Sequence, residues 1–242
     1  RVGLSAINSI NLARILAQSV YYLFAWLQLE KKDRMETTFV VPTGNFGNVF
    51  AGWLLTKMGL PVKNFRVATN QNDVLHRLFQ SGEYSLENVS PSLAPSMDIQ
   101  VASNFERLLY FILDGDSEKL CEVMAIFSET GKYSFDHFEV DGFTSSSVSD
   151  DEIPQIIKEV HNNYSYLVDP HTACAFKDLD SSGKYLILAT AHPAKFPSVY
   201  EKASLPKPTS SILDELNDKK SKKYFVDLNP KAICTFIEEN IL

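Results

Sequence analysis

Positive charge is scarce in this chain of 242 residues: 23 Lys and Arg stand against 30 Asp and Glu, a formal net charge of −7. A chain this acidic is a poor polyphosphate binder, which excludes broad nucleic-acid binding. Cysteine is sparse too. Cys121, Cys174 and Cys234 are odd in number, far apart and outside any CxxC pair. Neither a disulfide framework nor a zinc ribbon fits them, and they read as reduced thiols of a cytoplasmic protein. No run is long and apolar enough for a bilayer. The longest, Ile15 to Leu29, is interrupted by Gln18, Ser19 and Gln28 and stops at Glu30-Lys31-Lys32-Asp33, so no membrane association is expected. No signal peptide is visible. The chain starts at Arg1 and goes almost directly into a helical pattern, which reads as part of a longer protein. Common catalytic signatures are missing as well: no G-x-S-x-G, no HExxH and no EF-hand loop.

What is present is ordinary for a globular protein. An apolar fraction of 45% and a charged fraction of 22% exclude disorder and low complexity. Sixteen Phe, ten Tyr and two Trp can fill a sizeable core. Strand-like and helix-like runs alternate, which predicts α/β architecture with a parallel sheet. A first helix, apolar nearly all round and so expected to be buried, spans about Asn8 to Glu30. Strands are expected at Thr38–Val41, Phe65–Thr69 and, weakly, Phe138–Val140. Tyr185–Ala189 is the most hydrophobic of them and is expected at the centre of the sheet.

Further helices are expected up to Met58, from an Asn72 cap to Gln80, and over Asn104–Leu113 behind a Ser103-to-Glu106 capping box. Others should cover Ser117–Thr130, the Ile153–Val160 region, Thr172–Leu179, and a stretch opening at Asn229-Pro230 with Ile233, Phe236, Ile237 and Ile241 on one face. Ser90–Asp98 and Thr144–Ser149 read as loops, and Asp218–Lys223 as a solvated charge run. One compact body is the simplest organisation.

The strand-to-helix turn at Thr43-Gly44-Asn45-Phe46-Gly47-Asn48 carries the most chemistry. Its glycines let the backbone bend and approach a ligand closely. The amides of Asn45 to Asn48 should point outward at a helix N-terminus, where the dipole favours an anion. Such a turn also serves as a plain strand-helix connection. Two common cradles are excluded: no Gly-Lys-Ser/Thr follows, and there is neither a G-x-G-x-x-G nor an acidic residue at the end of the next strand, which finishes in Thr69-Asn70. Thr190 falls at the carboxyl end of the hydrophobic strand, where it could meet a cofactor or merely cap the next turn. In Asp169-Pro170-His171-Thr172, His171 reads as a helix-start residue rather than a metal ligand paired with Cys174, and no metal site is expected.

Val41-Pro42-Thr43-Gly44-Asn45-Phe46-Gly47-Asn48 resembles the phosphate loop of threonine synthases. Asn8 to Gln18, Ala68 to Asp73, Ser96-Met97-Asp98 and Thr190 to Phe196 are similar to further segments of that family, in order and at family-like spacings. The resemblance runs from about Ser5 to Phe196. It implies an open, mostly parallel sheet with helices on both faces, the tryptophan synthase β-like fold of fold-type II pyridoxal phosphate enzymes, here incomplete. It implies pyridoxal 5'-phosphate as cofactor, its phosphate held by Gly44, Asn45, Phe46, Gly47 and Asn48 and its ring nitrogen facing Thr190. A hydroxyl there, unlike a carboxylate, does not hold a proton on the nitrogen.

The implied activity, in the cytoplasm, is conversion of O-phosphohomoserine and water to threonine and phosphate. A near alternative is a phospho-lyase giving 2-oxobutanoate, and a distant one is a non-catalytic fragment or isoform that acts by binding. No residue matches the family's Schiff-base lysine, and Lys195 is not that lysine, so no catalytic residue is expected in this chain. Residues 1–242 thus read as the C-terminal part of a large cofactor-binding domain whose N-terminal half carries the lysine and is the implied partner.

Overall fold

A computed structural model describes residues 8–217 and 219–240. Ser5, Asp218 and Ile241 lie outside the described residues. The chain runs through α1 (Leu12–Gln28), β1 (Thr37–Pro42), α2 (Gly47–Lys57), β2 (Asn64–Thr69), α3 (Val74–Ser81) and β3 (Glu83–Ser85). It continues through α4 (Phe105–Ile112), α5 (Ser117–Thr130), β4 (Lys132–Ser134), β5 (Phe143–Ser147), α6 (Glu152–Tyr164) and α7 (Pro170–Ala173). The last elements are β6 (Lys184–Ile187), α8 (Pro197–Lys202), α9 (Ser211–Asn217) and α10 (Pro230–Asn240).

Four strands form a parallel sheet in the order β5-β2-β1-β6. Alternation along β1 assigns its two faces. Phe39 and Val41 join Phe65 and Val67 of β2 beneath Tyr22 of α1 and Val49 and Trp53 of α2. Val40 and Ala68 face the other way, onto Ala175 just after α7. A second apolar layer gathers Ile153, Ile157 and Val160 of α6 with Val199 and Tyr200 of α8. Helices therefore cover both faces, as expected of this class. Each large side chain such as Phe39 or Phe65 stabilises by about 2–3 kcal/mol on burial.

Several expectations fail. Thr144–Ser149 is not all loop: β5 pairs with β2 in parallel, Val67 opposite Ser145. Its serines carry little strand preference. The strand is held instead by backbone pairing and by Phe143, which stacks on Phe65 and Phe79 at 5.5 Å each. Phe138–Val140 forms no strand. A short antiparallel pair, β3 with β4, stands where none was predicted. β6 is not central but lies at the edge of the described sheet, next to β1.

Two helix caps also differ. Asn72 turns its amide to Ser90 and Asp98, and Asp73 takes the cap of α3. The capping box before α4 does not form, because Asn104 is the cap residue and its side chain makes no cap bond. The first helix is buried only along Ile15, Ser19 and Tyr22. Leu16, Val20, Phe24 and Leu27 on its outer side are exposed. Finally, the chain forms two compact units, Arg1–Pro208 and Thr209–Leu242, rather than one. The second contains α9, which was not predicted, and α10, and none of its described residues is buried.

Candidate functional site

The loop between β1 and α2 is shaped by packing on both sides. Phe46 sits in the left-handed region (φ 67°) immediately before α2. Its fully buried ring meets Phe105 edge-on at 5.7 Å and stacks on Phe143 at 6.3 Å. Phe46 can therefore meet a ligand only through its main chain. A Cβ on Gly44 would lie 3.2 Å from the Ser96 carbonyl oxygen. One on Gly47 would lie 3.1 Å from both Ile15 Cδ1 and Asn45 Oδ1, and 3.2 Å from Asn104 Nδ2. Neither glycine has positive φ, so both are needed for close approach rather than for an unusual backbone conformation.

Asn45 Oδ1 accepts the Gly47 amide at 2.9 Å, a local side-chain turn that tightens the bend. That amide is therefore not free for a ligand, contrary to the expectation that every amide from Asn45 to Asn48 points outward. Among the described residues, the amides of Gly44, Asn45, Phe46 and Asn48 meet no acceptor. Successive unspent amides at a helix start make an anion-binding concavity. Helix α1 buttresses it from behind. Tyr22 donates its hydroxyl to Asn48, reaching the carbonyl oxygen and Oδ1 at 2.9 Å each. Burial pushes the Tyr22 hydroxyl pKa well above its ordinary value, which keeps it protonated as a donor.

Thr190 lies at the same carboxyl edge. It follows β6, whose Ile187 is in register with Val40 of β1. Its residue is exposed, and its Oγ1 is 3.3 Å from Thr172 Oγ1. The Thr190 amide donates to that same Thr172 oxygen at 3.1 Å. Thr172 in turn donates its hydroxyl to the buried Asp169. Burial raises the pKa of the Asp169 carboxyl, but hydrogen bonds from His171 and Thr172 outweigh it and leave the group below its ordinary value.

His171 is locked between two partners. Its Nδ1 is 2.9 Å from Asp169 Oδ1, and its Nε2 accepts the Ser96 amide at 3.1 Å. The proton must then sit on Nδ1, and the ring is neutral. Ser96 is the residue whose carbonyl overhangs Gly44, so one hydrogen-bonded bracket joins the Thr190 end of the edge to the Gly44 end. A second carboxylate steadies the overhanging segment: Asp98 accepts from Asn70, Asn72 and Ser92 at 2.6–2.8 Å.

The bracket was not seen in the sequence. The sequence marks His171 as a helix-start residue and predicts a helix over Thr172–Leu179; the structure has Asp169 capping α7, which ends at Ala173 and passes into a single 3-10 turn over Cys174–Phe176. Nothing local says that the capping carboxylate reaches forward to the Ala191 amide, or that Thr172 reaches Thr190. Cys174 is buried, donates to the Pro170 carbonyl, and has its thiol pKa pushed up to about 12 by burial. It is neither ligand nor nucleophile. Lys195 is exposed in the turn before α8. Among the described residues no three potential metal ligands come together. A cavity of 730 Å³ opens at the opposite end of the strands, between Asn64 and Gly142. It contains none of the predicted site residues and lies away from the carboxyl edge, where open α/β sheets bind ligands.

Residues 170–237 match the family model described as "Threonine synthase, C-terminal". Threonine synthase of Pseudomonas aeruginosa is 44% identical over 211 residues, which cover 84% of this chain and 45% of that protein. The human protein named threonine synthase-like 2 is 35% identical over 236 residues, covering 91% of this chain and 49% of that one. The crystal structure of PLP-bound threonine synthase from Brucella melitensis superposes with a TM-score of 0.87 at 35% identity, over 98% of this chain and 53% of its own. The chain spans about half the length of the curated relatives it matches.

Proposed function

We infer that this chain is the C-terminal half of a threonine synthase, and that the complete protein converts O-phosphohomoserine and water to threonine and phosphate with pyridoxal phosphate as cofactor. The observation that carries this reading is the cradle at Gly44–Asn48, whose unspent amides lie on the same sheet edge as Thr190. The residues present fit the cofactor: two glycines let the bend pack closely where a Cβ would press on neighbouring protein atoms, and among the described residues four of its amides meet no acceptor. Gly44, Asn45, Phe46 and Asn48 would hold the phosphate through their main chain, with the α2 dipole behind them. Gly47 would contribute by letting the bend pack against Ile15 and Asn104. Thr190 would face the ring nitrogen. When bound, pyridoxal phosphate supplies an electron sink for carbon acids. The chain's own task is to fix both ends of the ring system so that it cannot drift.

The Schiff-base lysine belongs to the part of the protein outside this chain. The partner that supplies it is the N-terminal half, which makes residues 1–242 the C-terminal part of a larger cofactor-binding domain. The outer face of α1 supports this reading. Leu12, Leu16, Val20, Phe24 and Leu27 are all 44% or more exposed, and an apolar stripe of that size marks a surface that another element covers. A cytoplasmic location suits the three unpaired thiols. No described helix is long and apolar enough to cross a membrane.

The test is product analysis on the complete protein, which should release threonine and phosphate in equal amounts from O-phosphohomoserine. A phospho-lyase using the same cofactor is the second reading. It would give phosphate with 2-oxobutanoate. No phosphate at all would favour a non-catalytic binding protein.

A further inference from the structure

The imidazole of His171 has no task in the reading above. It is buried, 3% exposed, and touches three separate stretches of chain. Nδ1 meets Asp169 Oδ1 at 2.9 Å. Nε2 accepts the Ser96 amide at 3.1 Å. The Phe196 ring stands edge-on to it, with centroids 4.8 Å apart. An ionised carboxylate only accepts, so Asp169 draws the ring proton to Nδ1 and leaves the lone pair on Nε2 for Ser96.

Ser96 links this ring to the cradle. A Cβ on Gly44 would lie 3.2 Å from the Ser96 carbonyl oxygen and 3.3 Å from Met97 Cα. The Ser96–Met97 main chain is therefore a wall against the first glycine of the loop, whose amide meets no acceptor among the described residues. That wall belongs to a 3-10 turn of three residues, Pro95–Met97, a form whose own hydrogen bonds are poorly aligned. Its position is set from outside. Met97 is buried in the apolar layer with Val199 and Tyr200. Asp98 is held by Asn70, Asn72 and Ser92. Ser96 itself is exposed, and its amide is fixed by His171 Nε2. Without that acceptor the amide turns to water, and the peptide beside Gly44 gains freedom to shift.

We propose that His171 is a positioning residue for the phosphate cradle: by accepting the Ser96 amide it holds the Ser96–Met97 main chain against Gly44, and so sets how firmly the loop retains a phosphate. The proposal rests on the pyridoxal phosphate reading. Asp169 acts at one remove, by selecting the ring tautomer that can accept.

The test is titration of the cofactor-free complete protein with pyridoxal phosphate and, separately, with pyridoxal, which lacks the phosphate. His171→Asn keeps a donor where Nδ1 stood and loses the acceptor, whereas His171→Gln can reach Ser96 with its carbonyl oxygen. His171→Asn should bind pyridoxal phosphate about fivefold more weakly, the worth of one neutral hydrogen bond, with its affinity for pyridoxal unchanged. His171→Gln should restore binding to within about twofold. Unchanged affinity for pyridoxal phosphate in His171→Asn overturns the proposal. So does an equal loss for both ligands, or an equal loss in both variants, since either would make the ring a packing element only. A measurement on the unsubstituted protein needs no variant to fold. With nitrogen-15 in its histidines, the His171 ring should show the Nδ1–H tautomer by NMR. The Nε2–H tautomer, which cannot accept from Ser96, overturns the proposal. An unsubstituted protein that takes up no pyridoxal phosphate overturns the functional reading instead, and its titration, run first, tells the two failures apart.

Discussion

At Gly44–Asn48 the groups turned outward are main-chain amides, whereas at Asp169–Thr190 they are hydroxyls backed by a carboxylate. The first end depends on space: Gly44 and Gly47 are hemmed in by Ser96, Ile15 and Asn104, and the Phe46 side chain takes no part in binding. The second depends on chemical identity, because the Thr172 hydroxyl donates to Asp169 while its oxygen accepts the Thr190 amide. The loop should therefore be sensitive to added volume, and the bracket to the loss of a donor or acceptor at constant volume.

The largest effect should come from adding volume at the loop. Gly47→Val places a branched side chain against three atoms already within 3.2 Å of its first carbon. Overpacking of this kind costs about 1–3 kcal/mol. The complete protein should lose its cofactor on desalting and melt at a lower temperature, both measurable by absorbance and thermal unfolding. Unchanged cofactor content would break the comparison at its first term.

The next effect concerns charge in the bracket. The Asp169 carboxyl pKa is lowered on folding, so its contribution to stability is fully present above the ordinary carboxylate pKa. It is lost as the pH falls through the folded value. Denaturant unfolding should show stability declining below about pH 4, with a shallower acid decline in Asp169→Asn. Identical slopes would mean that the bracket is not held by charge.

The smallest effect on stability should come from Thr190→Val, an exposed position where shape is conserved and only the hydroxyl is lost. Unfolding should change by no more than about 0.5 kcal/mol, while turnover of the complete protein slows about tenfold, on the order of 1.4 kcal/mol in the barrier. Full activity would remove Thr190 from the site.

How much of this was legible in the sequence follows from the range of the forces involved. The turn at Gly44–Asn48 and the helix starting at Gly47 are local, and glycine spacing reveals them. So is the stop of α2, expected at about Met58 and found with Met58 as its C-cap. β5 was hidden because its serines are neutral in propensity, and only its pairing partner and the stacking of Phe143 make it a strand. The edge position of β6 was hidden because hydrophobicity reports how much surface is covered, not by which neighbour. The outward side of α1 misled for the same reason: apolar residues all round predict burial, and Leu16, Val20 and Phe24 are exposed in this chain. Asp169 shows the limit most clearly. Its bonds to His171 and Thr172 span two or three residues and look like any helix cap, while its contact with Ala191 spans 22 residues and carries no local mark.

The left-handed bend at Phe46 bears on how fast the site can be filled. A bulky residue in that conformation costs about 1–2 kcal/mol, and a buried aromatic ring returns roughly as much or more. The ring thus keeps the bend cocked whether or not anything occupies the loop. Under the proposed function an arriving anion would not wait for a segment to close over it, since the bend is already formed. Capture would then be governed by how often the anion arrives, and residence time by how firmly the main-chain amides hold it.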